Sequence, residues 1–373
     1  MRRIAPAAGL FLLAPLVAEF LLGDFPITYL VALVALAPMY GGGAVLIREA
    51  VRRSGRGWPS IALLGVAFAL LEEGLATQSL FNPDYYHAHL LAQGFIPALG
   101  IALPWTLYVL TLHTVWSICV PIALIEALTP ARRATPWLRK PGLVMAALLL
   151  LLGLGLTAVT SYAEGHFLAP WPRLVTVLLL IGVLVTVALR PPRKRTAPVG
   201  RTAPSPWLVF AVTVVAGGVF MGARLASALL PDQVAVVVVG LDLTAVAWLA
   251  WAGSRAHGWD ARHRLALAAG ALLTYAWHSF TATPLVPTTP TTTLISHVVL
   301  AAGAVGLVLA ALLRRPWAAV PEHSNVDGPS GPAARRTNSP STPDPAVSPA
   351  RPDAQPDAGA GGSPPARTTP RLR

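Results

Sequence analysis

The chain has 373 residues, 54% of them hydrophobic and 12% charged, with a formal net charge of +12. Soluble globular domains carry about 25% charged residues, so this composition excludes an ordinary soluble fold and makes a bilayer the expected solvent and partner. The positive excess sits in short loops between apolar runs, which argues against nucleic acid as a partner, and Cys119 as the single cysteine excludes an internal disulfide or a CxxC redox pair.

The apolar runs predict an all-α, polytopic transmembrane helix bundle of about ten spans occupying residues 1–318. Each span needs about 20 residues to cross roughly 30 Å of hydrocarbon. The first run, 5–23, follows Arg2 and Arg3; no A-x-A cleavage site follows and Glu19 interrupts its end, so it reads as an uncleaved span. The second, 27–47, carries Gly41–Gly42–Gly43, expected to let another helix come close or to let the span bend, and it ends at Arg48 and Glu49. The third, 59–80, contains Glu72 and Glu73. The stretch 95–128 is too long for one upright helix. Pro104 is expected to divide it into a half-helix or re-entrant piece and a full span, 104–128, which holds His113 and Ser117 and ends at Glu126. Arg48 with Glu126 reads as an ion pair at the membrane boundary.

Spans 142–162 and 170–189 are nearly free of charge, and a basic, Pro-rich linker, Arg190–Pro206, follows them. Span 206–229 carries Arg224 and a GxxxG at Gly218 and Gly222, a helix-packing motif. Span 232–253 carries Asp242, span 264–281 carries His278, and span 293–313 carries His297. From residue 319 to 373 the composition turns to Pro, Ala, Ser, Thr, Asp and Arg, which cannot bury a core, so a disordered tail is expected.

Loop charges orient these spans. Arg48, Arg52, Arg53 and Arg56; then Arg132, Arg133, Arg139 and Lys140; then Arg190, Arg193, Lys194, Arg195 and Arg201; then Arg255, Arg262 and Arg264; and finally Arg314 and Arg315 all fall on one side. The alternate loops hold Asp24, Asp84, Glu164 and Asp232, with Arg173 as their basic residue. The positive-inside rule then predicts a multi-pass plasma-membrane protein with both termini and the tail in the cytoplasm.

Ionisable groups in hydrocarbon cost several kcal/mol and are paired, water-facing or functional. Glu72 and Glu73 lie about seven residues, or roughly 11 Å, below the outer end of their span, and His113 lies at a similar depth with Ser117 at i+4. Glu19, Arg224, His278 and His297 also fall in the outer half. Adjacent carboxylates point about 100° apart on a helix, so one can face a reacting centre or a metal while the other pairs with a cation such as Arg224. Asp242 reads either as a neutral buried acid or as part of a proton path. His87 and His89 have HxH spacing but stand in a tyrosine-flanked interfacial loop. No P-loop, HExxH, GxSxG or dinucleotide fingerprint occurs.

The pair Glu72–Glu73 in one span, followed by His113 in the next, resembles the CAAX-protease and bacteriocin-processing family of intramembrane metalloproteases, whose pattern runs EExxxR, FxxxH and then HxxxN or HxxxD. Thr77 stands at the arginine position and Val109 at the phenylalanine position, while Ala282 and Ala301 follow His278 and His297 at i+4. The resemblance spans residues 72–113. It implies that Glu72 or Glu73 activates water and that His113, with His278 or His297, holds a metal such as zinc or the oxyanion. Three readings follow: a hydrolase of that type, a proton-coupled transporter or lipid-handling protein using the same acids, and a membrane scaffold in which they are structural.

Overall fold

A computed structural model describes residues 4–191, 199–225, 229 and 231–314. The segment 315–373, with the expected tail, lies outside the described residues, as does most of the basic linker.

The described residues form ten apolar helical rods in the order the sequence predicts. Helix α1 (Ala5–Pro15) continues into a π-helical turn, Leu16–Phe20. A 3-10 turn, Ile27–Ala32, leads into α2 (Leu33–Arg53). Helix α3 (Trp58–Leu71) also ends in a π turn, Glu72–Ala76. The fourth rod is α4 (Leu103–Leu112), a π segment His113–Cys119, and α5 (Val120–Leu128). Helices α6 (Lys140–Gly165), α7 (Trp171–Ala188), α8 (Pro206–Leu225), α9 (Asp232–Gly253), α10 (Ala261–His278) and α11 (Pro290–Leu313) complete the bundle.

Eight of the rods are long and apolar enough to cross a bilayer. The α1 rod, Ala5–Phe20, is shorter. Helix α10 is rich in Ala and is buried along most of its length against α5, α8 and α11. The outer rods behave oppositely. Only 11% of the apolar windows of α6 and α7, and 6% of that of α9, is buried inside the protein. Leucines and valines on these rods therefore point outward, an arrangement that suits hydrocarbon and not water.

Proline and glycine set how closely the inner rods pack. Pro15 has no N–H to give the Phe11 carbonyl one turn back, and α2 approaches at that carbonyl: a Cβ on Gly41 would sit 2.1 Å from Phe11 O. Gly42 meets the α6 backbone at Ala146 and Leu150, and Gly43 meets the ring of Phe68 on α3. Successive residues point about 100° apart, so three glycines in a row admit three different helices. The GxxxG expectation is corrected: Gly218 and Gly222 have nothing within 4 Å, and it is Gly217 that packs, against Thr274.

The expected half-helix before Pro104 is also corrected. Residues 95–102 form a short antiparallel hairpin, β1 (Phe95–Ile96) with β2 (Ile101–Ala102), flanked by Gly94 and Gly100 at positive φ, and α4 starts immediately after it with Pro104 in its first turn. Another short pairing, β3 (Val199–Thr202) with β4 (Ala256–His257), joins two loops at the arginine-rich end.

At that arginine-rich end the expected Arg48–Glu126 pair is part of a larger buried network. The Arg48 guanidinium donates to Glu126 at 3.2 Å, to Glu49 at 2.7 Å and to the carbonyls of Arg132, Arg133 and Thr135 at 3.1, 2.9 and 2.8 Å, and it lies 3.5 Å from the centre of the Trp137 ring. Arg52 holds Glu126 through two bonds of 2.8 and 2.6 Å, and Glu49 accepts the Trp137 and Leu138 N–H groups at 2.8 and 3.1 Å. The network ties α2, α5 and the loop before α6 into one corner.

Candidate functional site

The three π segments lie together and carry Glu19, Glu72 with Glu73, and His113 with Ser117. A π turn takes an extra residue into the helix and is often found at functional sites. In α3 it is closed by Thr77 N–H bonding to the Glu72 carbonyl at 2.8 Å, reinforced by the Thr77 hydroxyl on the same oxygen at 3.2 Å. In the α1 rod the Leu21 and Asp24 N–H groups reach back five residues to Leu16 and Glu19. In the fourth rod Pro121 cannot donate to the Ser117 carbonyl, which favours widening of the turn before it.

His113 sits between the two carboxyl groups. Its Nε2 is 2.9 Å from Glu73 Oε1 and its Nδ1 is 3.1 Å from Glu72 Oε2. Ser117 Oγ lies 3.2 Å from the same Nδ1. All four side chains are buried, Glu72 at 2% exposure. The Glu72 contact is close enough for charge pairing but not aligned for a hydrogen bond, so Oε2 is a buried oxygen with no hydrogen-bond partner. Glu73 is held more completely: Oε2 accepts from the Thr77 hydroxyl at 3.1 Å and closely from the Ser79 hydroxyl, which is itself bonded by Trp105 Nε1 at 3.2 Å. Donor atoms of Glu72, Glu73 and His113 all lie within 4.8 Å of one another.

Glu19 joins through Tyr40, which donates to it at 2.5 Å and whose ring stacks on His113 at a centroid distance of 5.8 Å. In the loop after α3, burial first and then the field of Glu73 raise the phenol of Tyr85 above the ordinary value, so it stays neutral.

Other expected members are elsewhere. Arg224 lies 5.7 Å from the Tyr108 ring and lines a separate cleft. His278 and His297 do not join His113. His278 Nδ1 meets the Thr281 hydroxyl at 3.3 Å, and His297 packs edge-on against Phe280 beside Gly23. Asp242 is half-buried on α9, an outer rod, and is not among the cluster's neighbours. His87 and His89 both turn to Asp84, at 3.0 and 3.4 Å, in the exposed loop. Tyr40, Ser79 and Trp105 are site residues that the sequence reading missed. Thr77 offered a signal, since it stands at i+4 from Glu73, and it supplies a neutral hydroxyl where the protease pattern has a cation.

No curated protein and no solved structure matches the chain. A family model does match, over residues 10–326, and the chain belongs to that family, an uncharacterized membrane protein family.

Proposed function

We propose that this multi-pass protein lies in the plasma membrane with both termini in the cytoplasm, and that Glu72, Glu73 and His113 form a water-activating centre of an intramembrane hydrolase of the CAAX-protease type. The observation that carries the reading is one buried imidazole with a carboxyl group at each ring nitrogen, 2.9 and 3.1 Å away. Keeping such a trio in hydrocarbon is costly without use or complete pairing, and the pairing is incomplete at Glu72 Oε2.

The roles divide by environment. Glu73 is fixed by Thr77 and Ser79 and sets the orientation of His113. Glu72 Oε2 faces His113 with no hydrogen-bond donor on it and can take a proton from water, and His113 can pass a proton on to a leaving group. The residues also fit a divalent metal, because one imidazole and two carboxylates present donor atoms within 4.8 Å and one oxygen is orphaned. Zinc held there would supply Lewis acidity and a more acidic bound water.

A specific observation favours a second reading, a proton relay in a transporter. Tyr40 donates to Glu19 and stacks on His113, which puts a third carboxyl group and a phenol beside the trio. The experiment is zinc analysis with thermal melting of detergent-purified wild type, Glu72→Gln, Glu73→Gln and His113→Asn. The hydrolase reading expects about one zinc per chain in wild type, its loss in each variant, and variants that melt close to metal-stripped wild type. Absence of zinc together with stable variants would favour the relay. Unstable variants, at about 1–3 kcal/mol for an unsatisfied buried partner, would leave the trio as structural glue.

A further inference from the structure

A second site lies beside the cluster and shares a wall with it. Helices α4, α8 and α9 and the loop before the hairpin enclose a cleft of about 330 Å³, within the range of pockets that hold small molecules. Its floor is aromatic. Trp105 and Tyr108 lie 5.9 Å apart, and Tyr108 stacks on Phe220 at 5.4 Å. Behind them the stack runs through Trp116 to Tyr275, at 5.7 and 4.5 Å, so the floor is braced by α10. Two opposite charges line the same cleft, Arg224 near the end of α8 and Asp232 at the start of α9. One oxygen of Asp232 accepts the Gly94 N–H at 2.6 Å, which fixes the carboxylate at the rim. Below the rim the lining turns apolar, with Ala235, Val236 and Val239. The neighbouring face of α9 exposes Val234, Val237 and Leu241.

We propose that this cleft binds one phospholipid with a phosphoethanolamine headgroup. A cation and a carboxylate over an apolar floor complement a zwitterion that carries a hydrocarbon extension. Arg224 suits the phosphate, since a guanidinium forms charge-assisted bonds to its oxygens. Asp232 suits a primary ammonium, which brings N–H donors that a choline group lacks. The acyl chains run along the valines of α9 toward the exposed apolar surface. Because Trp105 belongs to this lining and also donates to Ser79, the hydroxyl that holds Glu73, an occupied cleft would press on the Glu72–Glu73–His113 cluster. The lipid site stands whether or not that cluster is catalytic.

Native mass spectrometry of delipidated protein tests this with an equimolar mixture of dioleoyl phosphatidylethanolamine, phosphatidylcholine and phosphatidylglycerol. The expected result is a single retained phosphatidylethanolamine, favoured over the other two by about tenfold, the scale of one charge-assisted bond. Asp232→Asn keeps an acceptor for Gly94 and should erase the preference over phosphatidylcholine, while Arg224→Gln should weaken all three lipids. Equal retention of the three lipids by wild type would overturn the proposal without any variant. So would an undiminished ethanolamine preference in a folded Asp232→Asn protein. The readout is lipid occupancy, so neither result bears on the zinc experiment.

Discussion

Arg48 shows what a charge must do to survive inside this bundle. Its side chain is 0% exposed, yet its donors are distributed over two carboxylates and three carbonyls. Removing one member of a buried charge network leaves the others desolvated and unpaired, at about 3–5 kcal/mol. Arg48→Gln should therefore cost about that much, seen as a large drop in detergent melting temperature. Arg53→Gln should cost less than about 1 kcal/mol, because its pair with Glu49 is long, at 3.3 Å, and a third exposed, and its bond to the Leu138 carbonyl is open to solvent. Equal losses would mean that the corner is not held by Arg48. The same physics explains which site residues were legible. Glu72, Glu73 and His113 stand out in apolar runs because hydrocarbon penalises them, and their shared depth brought them together on paper. Depth says nothing about direction around the bundle, however. Arg224, His278 and His297 fall in the same outer half and face other neighbours. Tyr40 and Trp105 were invisible for the opposite reason, since aromatic residues with one polar atom are ordinary in a membrane span.

At the scale of elements, run length was enough to find the rods, because a bilayer of fixed thickness sets a narrow range for each. It could not separate a short apolar hairpin from a half-helix. Residues 95–102 are as apolar as a span, and only Gly94, Pro97 and Gly100 mark the turn. Nor did it reveal the π turns, which depend on where a helix absorbs one extra residue. Local chemistry explains part of this: Pro15 and Pro121 each remove a donor beside a π segment. Glycine spacing also misled where its neighbours were unknown. Gly41→Ala would force a methyl against the Phe11 carbonyl and should destabilise the protein by about 1–3 kcal/mol through separation of α1 from α2. Gly218→Ala and Gly222→Ala meet open space and should be neutral or slightly stabilising. Melting temperatures in one detergent decide it, and a loss at Gly222 equal to that at Gly41 would contradict the packing described above.

For the whole molecule the decisive quantity is the distribution of arginine between the two ends of the bundle. Arg48, Arg52, Arg53, Arg56, Arg132, Arg133 and Arg139 gather at one end, where Glu49 and Glu126 tie Arg48, Arg52 and Arg53 together. The opposite end has Asp24, Asp84, Glu164 and Asp232 in or beside its loops, with His87 and His89 turned to Asp84. Short basic loops resist translocation, so the arginine-rich end should be cytoplasmic and the cluster should open, if it opens, to the outside. Single cysteines introduced into a Cys119→Ala background test this in intact cells. Positions 84–90, in the exposed loop, should react with a membrane-impermeant maleimide, whereas positions 132–139 should react only after the membrane is permeabilised. Inverted labelling would place the Glu72–Glu73–His113 level in the cytoplasmic half. Labelling from outside at both sets would break the alternation of the spans and, with it, the ten-rod arrangement as a membrane topology.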